Sequence, residues 1–365
     1  MIFFCLGLPG RFAEWCDAVI ARLAQSTGGS AAVQTWPSYS EMLGFEPLPA
    51  ALNEVAIELI RGAPTHLVLG VRQPDERLRA VLAEADARFI VALDHPRLAV
   101  CDMIAVTGAE VGVVTRAVAN CCPLMTRFAA LPGALSLHAD RARADFPGTV
   151  FAIARHIGLD LSEAQIAQAA DDIAATELTH ALAVGDPSST AIPDQEYRII
   201  DGALSGYAEL FSGAGTVGQI VWRRELFVLY VEGFKRPTGA IDVAGPPRTL
   251  IYGPYIHLPP GRWTARVVLG VSPDAARNSF IVDAFADDTQ LGHTLLTPAR
   301  GGVYAAEFEF STEEASVKGV EVRVLVTNEN ARGQLALGYV ILQPISTRPL
   351  DPISESEDFE TVLGL

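Results

Sequence analysis

Residues 2–25, IFFCLGLPGRFAEWCDAVIARLAQ, decide the fold of the first half of the chain. Residues 2–8 are apolar and strand-like, and Pro9-Gly10 then interrupts the run. From Arg11 to Gln25 the apolar side chains recur at helical spacing. A strand, a tight turn and a helix in this order are typical of the beginning of a βαβ unit. We therefore expect a first strand that leads into a helix near Arg11, within a parallel sheet.

The alternation of strands and helices continues to about residue 180. The predicted elements are helix 49–61, strand His66–Val71, helix 74–86, strand Arg88–Leu93, a helix from Pro96 to Ala105, helix Gly112–Ala130, strand Ala134–His138, and helices Phe146–Ile157 and Ser162–Glu177. Ser162 is the expected N-cap of the last helix. Such alternation through short loops predicts a mostly parallel sheet covered on both faces. The fold class predicted for residues 1–185 is therefore three-layer α/β.

The pattern changes near residue 185, where GDPSST (185–190) forms a turn-rich joint. We expect a linker and a helix (194–211) within residues 186–214. Short alternating runs separated by Gly, Pro and Asp then predict strands at Gln219–Trp222, Leu226–Val231, Thr249–Ile256, Trp263–Val271, Phe280–Ala286, Val303–Phe310, Val320–Thr327 and Gln334–Leu342. This spacing predicts an all-β sandwich or jelly roll over residues 215–345. Residues 346–365 are acidic, and we expect them to form a flexible tail.

The bulk composition excludes several classes of function. The 365 residues carry a formal net charge of −16, which opposes binding to nucleic acid or to an anionic membrane surface. The five cysteines contain no CxxC pair and the histidines no HExxH spacing, so no metal site is expected, and the cysteines are predicted to be buried free thiols. No signal-peptide pattern and no membrane-length apolar run occurs, which predicts a cytoplasmic protein.

Three segments of the first half resemble the PAPS-dependent sulfotransferase family. They are LGLPGRFAEW (6–15), RFIVALDHPRLAVCDMI (88–104) and LPGALSLHADRARADFPGTVFAIARHIGLDLSEAQIAQAA (131–170). The likeness implies a phosphate-binding loop after the first strand, where backbone N–H groups and the helix dipole favour an anion. Pro9 and Trp15 match the family's opening loop. The loop lacks the lysine of a P-loop motif.

The departures from the family fall on its phosphate ligands. In the opening loop, Gly10 occupies the family's catalytic basic position and Arg11 occupies its serine position. In the same loop, Phe12 replaces a glycine and Glu14 replaces a threonine. In the second segment, Asp94 replaces an arginine and Asp102 replaces a serine. Carboxylates repel a phosphosulfate, so the resemblance implies a domain that has lost its cofactor site. No catalytic residue and no cofactor are predicted. Gly10, Arg11 and Arg97 remain as a degenerate loop, and the two arginines could hold phosphate if the register were shifted.

The second half contains the stretch LIYGPYIHLPPGRWTARVVLGVS (250–272), which resembles jelly-roll modules of the carbohydrate-binding class. Sugars stack their C–H faces on aromatic rings, and charged side chains bind their hydroxyls. The predicted ligand-binding residues are Tyr252, Tyr255, His257, Arg262 and Trp263, with Trp222, Glu321 and Arg323 as further candidates. As the alternative, the tryptophans and tyrosines pack in the core, and Glu321 and Arg323 pair with each other or with neighbouring strands.

These observations favour a non-catalytic protein that acts in the assembly of bacterial surface polysaccharides or glycoconjugates. Its partner would be a saccharide or an enzyme of glycan assembly. Two alternatives stay open at this stage. The first is an active sulfotransferase, or another transferase with a nucleotide donor, that uses a remodelled site. The second is a structural scaffold whose sandwich mediates homo-oligomerisation.

Overall fold

The computed structural model describes residues 1–36, 65–184, 192–209, 211, 217–230, 236–237, 239–286, 288–312 and 319–345. Internal contacts divide the chain into two compact units: Met1–Pro193 with Tyr207–Gly215, and Asp194–Gly206 with Thr216–Leu365. The predicted helix 49–61, the joint 185–190 and the tail 346–365 lie outside the described residues.

The first unit contains a five-stranded parallel sheet in the order β2-β3-β1-β4-β5. The strands are β1 (Ile2–Gly7), β2 (Ala31–Trp36), β3 (His66–Val71), β4 (Phe89–Leu93) and β5 (Ala134–His138). The predicted parallel sheet is confirmed, because β1 pairs with both β3 and β4 and leads into a helix at Arg11. Strand β2 was not predicted; it is an edge strand whose residues are all at least partly exposed, so it lacks a buried apolar run.

Eight helices begin and end within the described part of the first unit. They are α1 (Arg11–Gln25), α2 (Glu76–Glu84), α3 (Pro96–Thr107), α4 (Val111–Ala129), α5 (Ala139–Ala144), α6 (Phe146–Ile157), α7 (Glu163–Ala174) and α8 (Glu177–Val184). Ser162 caps α7 and shares a capping box with Gln165, as predicted for Ser162. All five cysteines are free and buried, which is also confirmed. No helix among the described residues is long and apolar enough to cross a membrane.

Helix α1 is buried because its apolar face packs between the sheet and helices α6 to α8. Trp15, Val19 and Leu23 are completely buried there. The indole N–H of Trp15 donates to Thr179 Oγ1 at 2.9 Å, so the ring is buried with its one polar atom satisfied.

After β1 the chain turns towards β2, and after β4 it turns towards β5. The crevice beyond the carboxyl ends of β1 and β4 is therefore the topological switch point, where open α/β sheets bind their ligands.

The second unit is a sandwich of two antiparallel sheets, as predicted. The first sheet has the order β13-β12-β15-β9-β7 with β10 on β15, and the second has the order β14-β11-β16-β6 with β8 on β16. The strands are β6 (Ile220–Arg223), β7 (Val228–Leu229), β8 (Ile241–Asp242), β9 (Arg248–Tyr252), β10 (Pro254–Ile256), β11 (Gly261–Val271), β12 (Phe280–Ala286), β13 (Thr289–Leu296), β14 (Gly302–Thr312), β15 (Val320–Val326) and β16 (Gln334–Pro344). Helix α9 (Asp194–Glu209) contributes its residues up to Gly206 to this unit.

The alternation of side chains along each strand defines which face is buried. On β15, Val320, Val322 and Val324 are buried, whereas Glu321 and Arg323 between them are partly exposed. The outer face of the first sheet therefore carries the polar residues of β15, and this face holds the candidate site described below.

Candidate functional site

The crevice of the first unit holds a carboxylate at the N-terminus of α1. Asp102 of α3 accepts a hydrogen bond from the backbone N–H of Arg11 on Oδ2 at 3.1 Å, and its Oδ1 pairs with Arg11 Nε at 3.2 Å. Gly10 precedes the helix with φ 145°, a conformation that favours glycine, and a Cβ there would lie 3.2 Å from Asp102 Oδ2. The position where a helix N-terminus binds an anion is thus filled by the chain's own side chain.

A second ion pair closes the neighbouring part of this crevice. Arg143 Nη2 donates to both oxygens of Asp94, at 3.0 and 3.2 Å, and the backbone N–H of His95 donates to Asp94 Oδ1 at 2.8 Å. Burial raises the pKa of Asp94, and the Arg143 guanidinium opposes this rise. Arg97 lies in the first turn of α3, where its backbone N–H donates to His95 Nδ1 at 3.2 Å.

The space left beside these pairs is small. A cavity of about 50 Å³ adjoins Asp94 and is lined also by His138, Asp140 and Phe211. Sites for small molecules usually measure roughly 300–1,000 Å³. Gly10 and Arg11 therefore lie at the carboxyl edge of the sheet, as predicted. The guanidinium groups of Arg11 and Arg143 in this crevice already bind carboxylates.

Three tyrosines lie in a row on the first sheet of the sandwich. The ring centroids of Tyr230 and Tyr252 are 6.1 Å apart, and those of Tyr252 and Tyr255 are 6.0 Å apart, each pair in an edge-to-face arrangement. Tyr230 is 63% exposed and Tyr255 44% exposed, while Tyr252 between them is partly buried. We call Tyr230, Tyr252 and Tyr255 the tyrosine row. It places three aromatic rings side by side, two of them open to solvent.

The backbone under Tyr255 is fixed to β15. Tyr255 has φ 62°, in the left-handed region that side chains larger than glycine rarely adopt. The N–H of Val322 donates to the carbonyl of Gly253 at 2.7 Å. Gly319 lies so close that a Cβ on it would be 2.3 Å from the Tyr255 carbonyl oxygen. Backbone strain of this kind persists only where surrounding contacts hold it, and it is concentrated at functional sites.

Polar side chains of β15 and β12 flank the tyrosine row. Glu321 is the register partner of Pro254, the residue before Tyr255. Partial burial, together with the nearby Glu321 carboxylate, raises the pKa of Tyr255. Arg323 Nε donates to Asp283 Oδ1 at 2.9 Å and its Nη2 to Asp283 Oδ2 at 2.7 Å. The guanidinium carbon lies 3.8 Å from the ring centroid of Phe285. Arg323 is thus held in one orientation from two sides.

Asp283 is the anchor of this polar group. This carboxylate of β12 is only 1% exposed, because the side chains of Arg323 and Gln290 cover it. Gln290 Nε2 donates to Asp283 Oδ2 at 2.8 Å. A buried carboxylate that receives three hydrogen bonds fixes its donors strongly, because each bond to a charged group is shorter and stronger than a neutral one.

The structure brings only part of the predicted binding site together. Tyr252 and Tyr255 belong to the tyrosine row. Arg262 lies on the second sheet, where Nη2 pairs with Glu309 Oε2 at 2.7 Å. His257 is partly buried and follows β10. Glu321 and Arg323 lie on the outer face, but Arg323 pairs with Asp283 and not with Glu321.

Trp263 requires a correction, because it packs in the core. It is 2% exposed, and its indole N–H donates to the Pro259 carbonyl and to Thr312 Oγ1, each at 3.2 Å. Trp222 is completely buried as well. Side chains alternate between the two faces of β11, and Trp263 lies on the same buried face as Ala265 and Val267.

Sequence reasoning missed Tyr230, Asp283, Phe285 and Gln290. Tyr230 is the penultimate residue of the predicted strand Leu226–Val231, and its proximity to Tyr252 depends on the pairing of β7 with β9. Asp283 stands alone among apolar residues of β12, FIVDAFA, and this isolated charge was the available signal.

No family model and no curated protein matches the chain. Solved structures similar to parts of it include a cyclase from Fischerella sp. TAU in complex with 4-(1H-indol-3-yl)butan-2-one, at 16% identity over 36% of this chain and 78% of the cyclase, with a TM-score of 0.23. A carbohydrate-binding module of lichenase 5A from Cellvibrio mixtus, in complex with cellotriose, is 14% identical over 33% of this chain and 85% of the module, with a TM-score of 0.21. A xylan-binding module is 12% identical over 35% and 98%, with a TM-score of 0.23.

Proposed function

We propose that the sandwich unit binds a saccharide on the tyrosine row. The observation that carries this proposal is the alignment of Tyr230, Tyr252 and Tyr255 with two of the three rings exposed. Aromatic faces that are fixed before the ligand arrives stack on the C–H faces of sugars and lose little entropy on binding. Single exposed apolar residues are common on protein surfaces, whereas a contiguous group of large ones usually has a role.

The polar groups beside the row support the same ligand. Glu321 is an acceptor for sugar hydroxyls, and Arg323 is a donor whose orientation Asp283 and Phe285 fix. A site with an aromatic platform and a few oriented polar groups suits a neutral, hydroxyl-rich molecule better than a purely apolar one.

We propose further that the α/β unit does not act as a sulfotransferase. Asp102 and Asp94 stand where the family resemblance calls for phosphate ligands, and Arg11 and Arg143 neutralise them. A phosphosulfate would have to displace two carboxylates from their arginines, and loss of one charge-assisted contact costs about 1.5–3 kcal/mol. The protein would then be an accessory protein of polysaccharide or glycoconjugate assembly, with binding carried out by the sandwich.

A glycan array with the full chain tests the saccharide proposal. Wild-type protein should retain one or more oligosaccharides, and Tyr230→Ala and Tyr252→Ala should each weaken that retention. Tyr304→Ala is the matched control, because Tyr304 is a partly buried tyrosine of β14 in the second sheet, whose hydroxyl donates to the Arg300 carbonyl at 2.6 Å. Equal loss in Tyr304→Ala and the row variants, or no retention by wild type, would contradict the proposal.

A further inference from the structure

Three charged side chains lie beside the tyrosine row, and negative charges outnumber positive ones among them. Asp283 and Glu321 are carboxylates, and Arg323 is the one cation among the three. Arg323 directs both Nε and Nη2 at Asp283, so its charge is committed to that buried carboxylate. Glu321 pairs in register with Pro254, the residue before Tyr255, and none of the ion pairs found among the described residues includes it. Among these three described residues, a net charge of −1 therefore remains at the edge of the row.

The Glu321 carboxylate and the fixed guanidinium of Arg323 both lie at the Tyr255 end of the row. Glu321 and Arg323 lie two residues apart on the same face of β15, and the side chain of Val322 between them is buried on the opposite face. Arg323 keeps Nη1 outside its two hydrogen bonds to Asp283. An acceptor and a donor beside an aromatic ring match two adjacent hydroxyls of a sugar that stacks on that ring.

We infer that the tyrosine row selects neutral saccharides with adjacent free hydroxyls and discriminates against uronate-bearing or sulfated ones. This inference rests on the proposed function. A ligand carboxylate or sulfate near Tyr255 would meet the Glu321 carboxylate, while Arg323 is already neutralised by Asp283. The repulsion acts at a partly buried site, where like charges interact more strongly than in bulk water.

Matched ligand pairs test the selectivity by calorimetry at low ionic strength. The probes are oligomers of glucose, mannose and galactose, each compared with the oligomer of the corresponding uronic acid at equal length. The neutral member of the pair that binds should have a dissociation constant lower by at least about tenfold, because like charges in contact at a partly buried site repel each other by more than the ~1.4 kcal/mol that a tenfold change represents. Raising the salt concentration should narrow the difference, because the site is partly open to solvent.

Two variants assign the selectivity to Glu321. In Glu321→Gln the difference between neutral and uronate oligomers should narrow severalfold, whereas Glu309→Gln should leave it unchanged, because Glu309 lies on the second sheet beside Arg262. A uronate oligomer that binds as tightly as its neutral counterpart, or a difference that survives Glu321→Gln, overturns the inference while leaving saccharide binding intact. Absence of binding by every probe overturns the proposed function, and the selectivity falls with it.

Discussion

Asp102 binds Arg11 twice, through the backbone N–H at the start of α1 and through the guanidinium Nε. The first contact satisfies a backbone donor at the helix N-terminus, and the second neutralises the carboxylate. An anion-binding position at the switch point of a parallel sheet is thereby closed from within the chain. The Arg143–Asp94 pair does the same on the neighbouring strand end.

PAPS should therefore not bind this protein. We expect no change in melting temperature at millimolar nucleotide, because Asp94 and Asp102 repel its phosphates and Arg11 and Arg143 are already paired. Thermal shift followed by calorimetry makes the measurement. Micromolar affinity would show that the crevice opens to accept phosphate, and it would restore the transferase alternative.

The pH dependence of stability should reveal the burial of Asp94. Its folded-state pKa is raised above the ordinary value of 3.8, so between these two values the folded protein holds more protons than the unfolded chain. The free energy of unfolding that Asp94 contributes therefore increases as the pH falls from its folded-state pKa to 3.8. The same contribution is lost as the pH rises through the folded-state pKa. Denaturation of wild type and Asp94→Asn between neutral pH and pH 4 measures it. The difference in unfolding free energy should shift in favour of wild type on acidification, and a shift in the opposite direction contradicts the assignment.

The ion pair of Asp17 with Arg72 lies in the core of the first unit. Arg72 is fully buried and Asp17 is 2% exposed. Asp17→Asn takes away the carboxylate that faces the buried guanidinium, and loss of one partner of a buried pair costs about 3–5 kcal/mol of unfolding free energy. Asp172→Asn is the control, because its pair with Arg22, also of helix α1, is partly exposed and should contribute much less. Equal effects of the two variants in urea denaturation would contradict the difference in burial.

The sequence contained enough information for the architecture and only part of the site. The run at 2–25 and the Ser162 cap predicted elements correctly because local periodicity and capping are properties of neighbouring residues. Strand β13, with the sequence TQLGHTLL, was missed because it is an edge strand with no buried residue. The tyrosine row depends on which strands pair and in which register, and these long-range relationships are not encoded in any local pattern.

Gly319 should be essential for the position of Tyr255. In Gly319→Ala the new Cβ would overlap the Tyr255 carbonyl, so the backbone of β10 must move. We expect a loss of about 1–3 kcal/mol in unfolding free energy, typical of overpacking, together with weaker saccharide binding. Gly239→Ala is the matched control, because a Cβ there meets no atom within 4 Å. Gly319→Ala with wild-type stability and affinity would show that the close approach is not required.

Tyr255→Ala, followed by calorimetry with the retained oligosaccharide and by denaturation of the same sample, tests the central claim most directly. Because Tyr255 is 44% exposed and forms one end of the tyrosine row, the variant should lose about 1–3 kcal/mol of binding free energy with little change in stability. A loss of about 3–5 kcal/mol in unfolding free energy, as for a core aromatic residue, or unchanged affinity in a stable variant, would contradict the assignment of the row as the saccharide site.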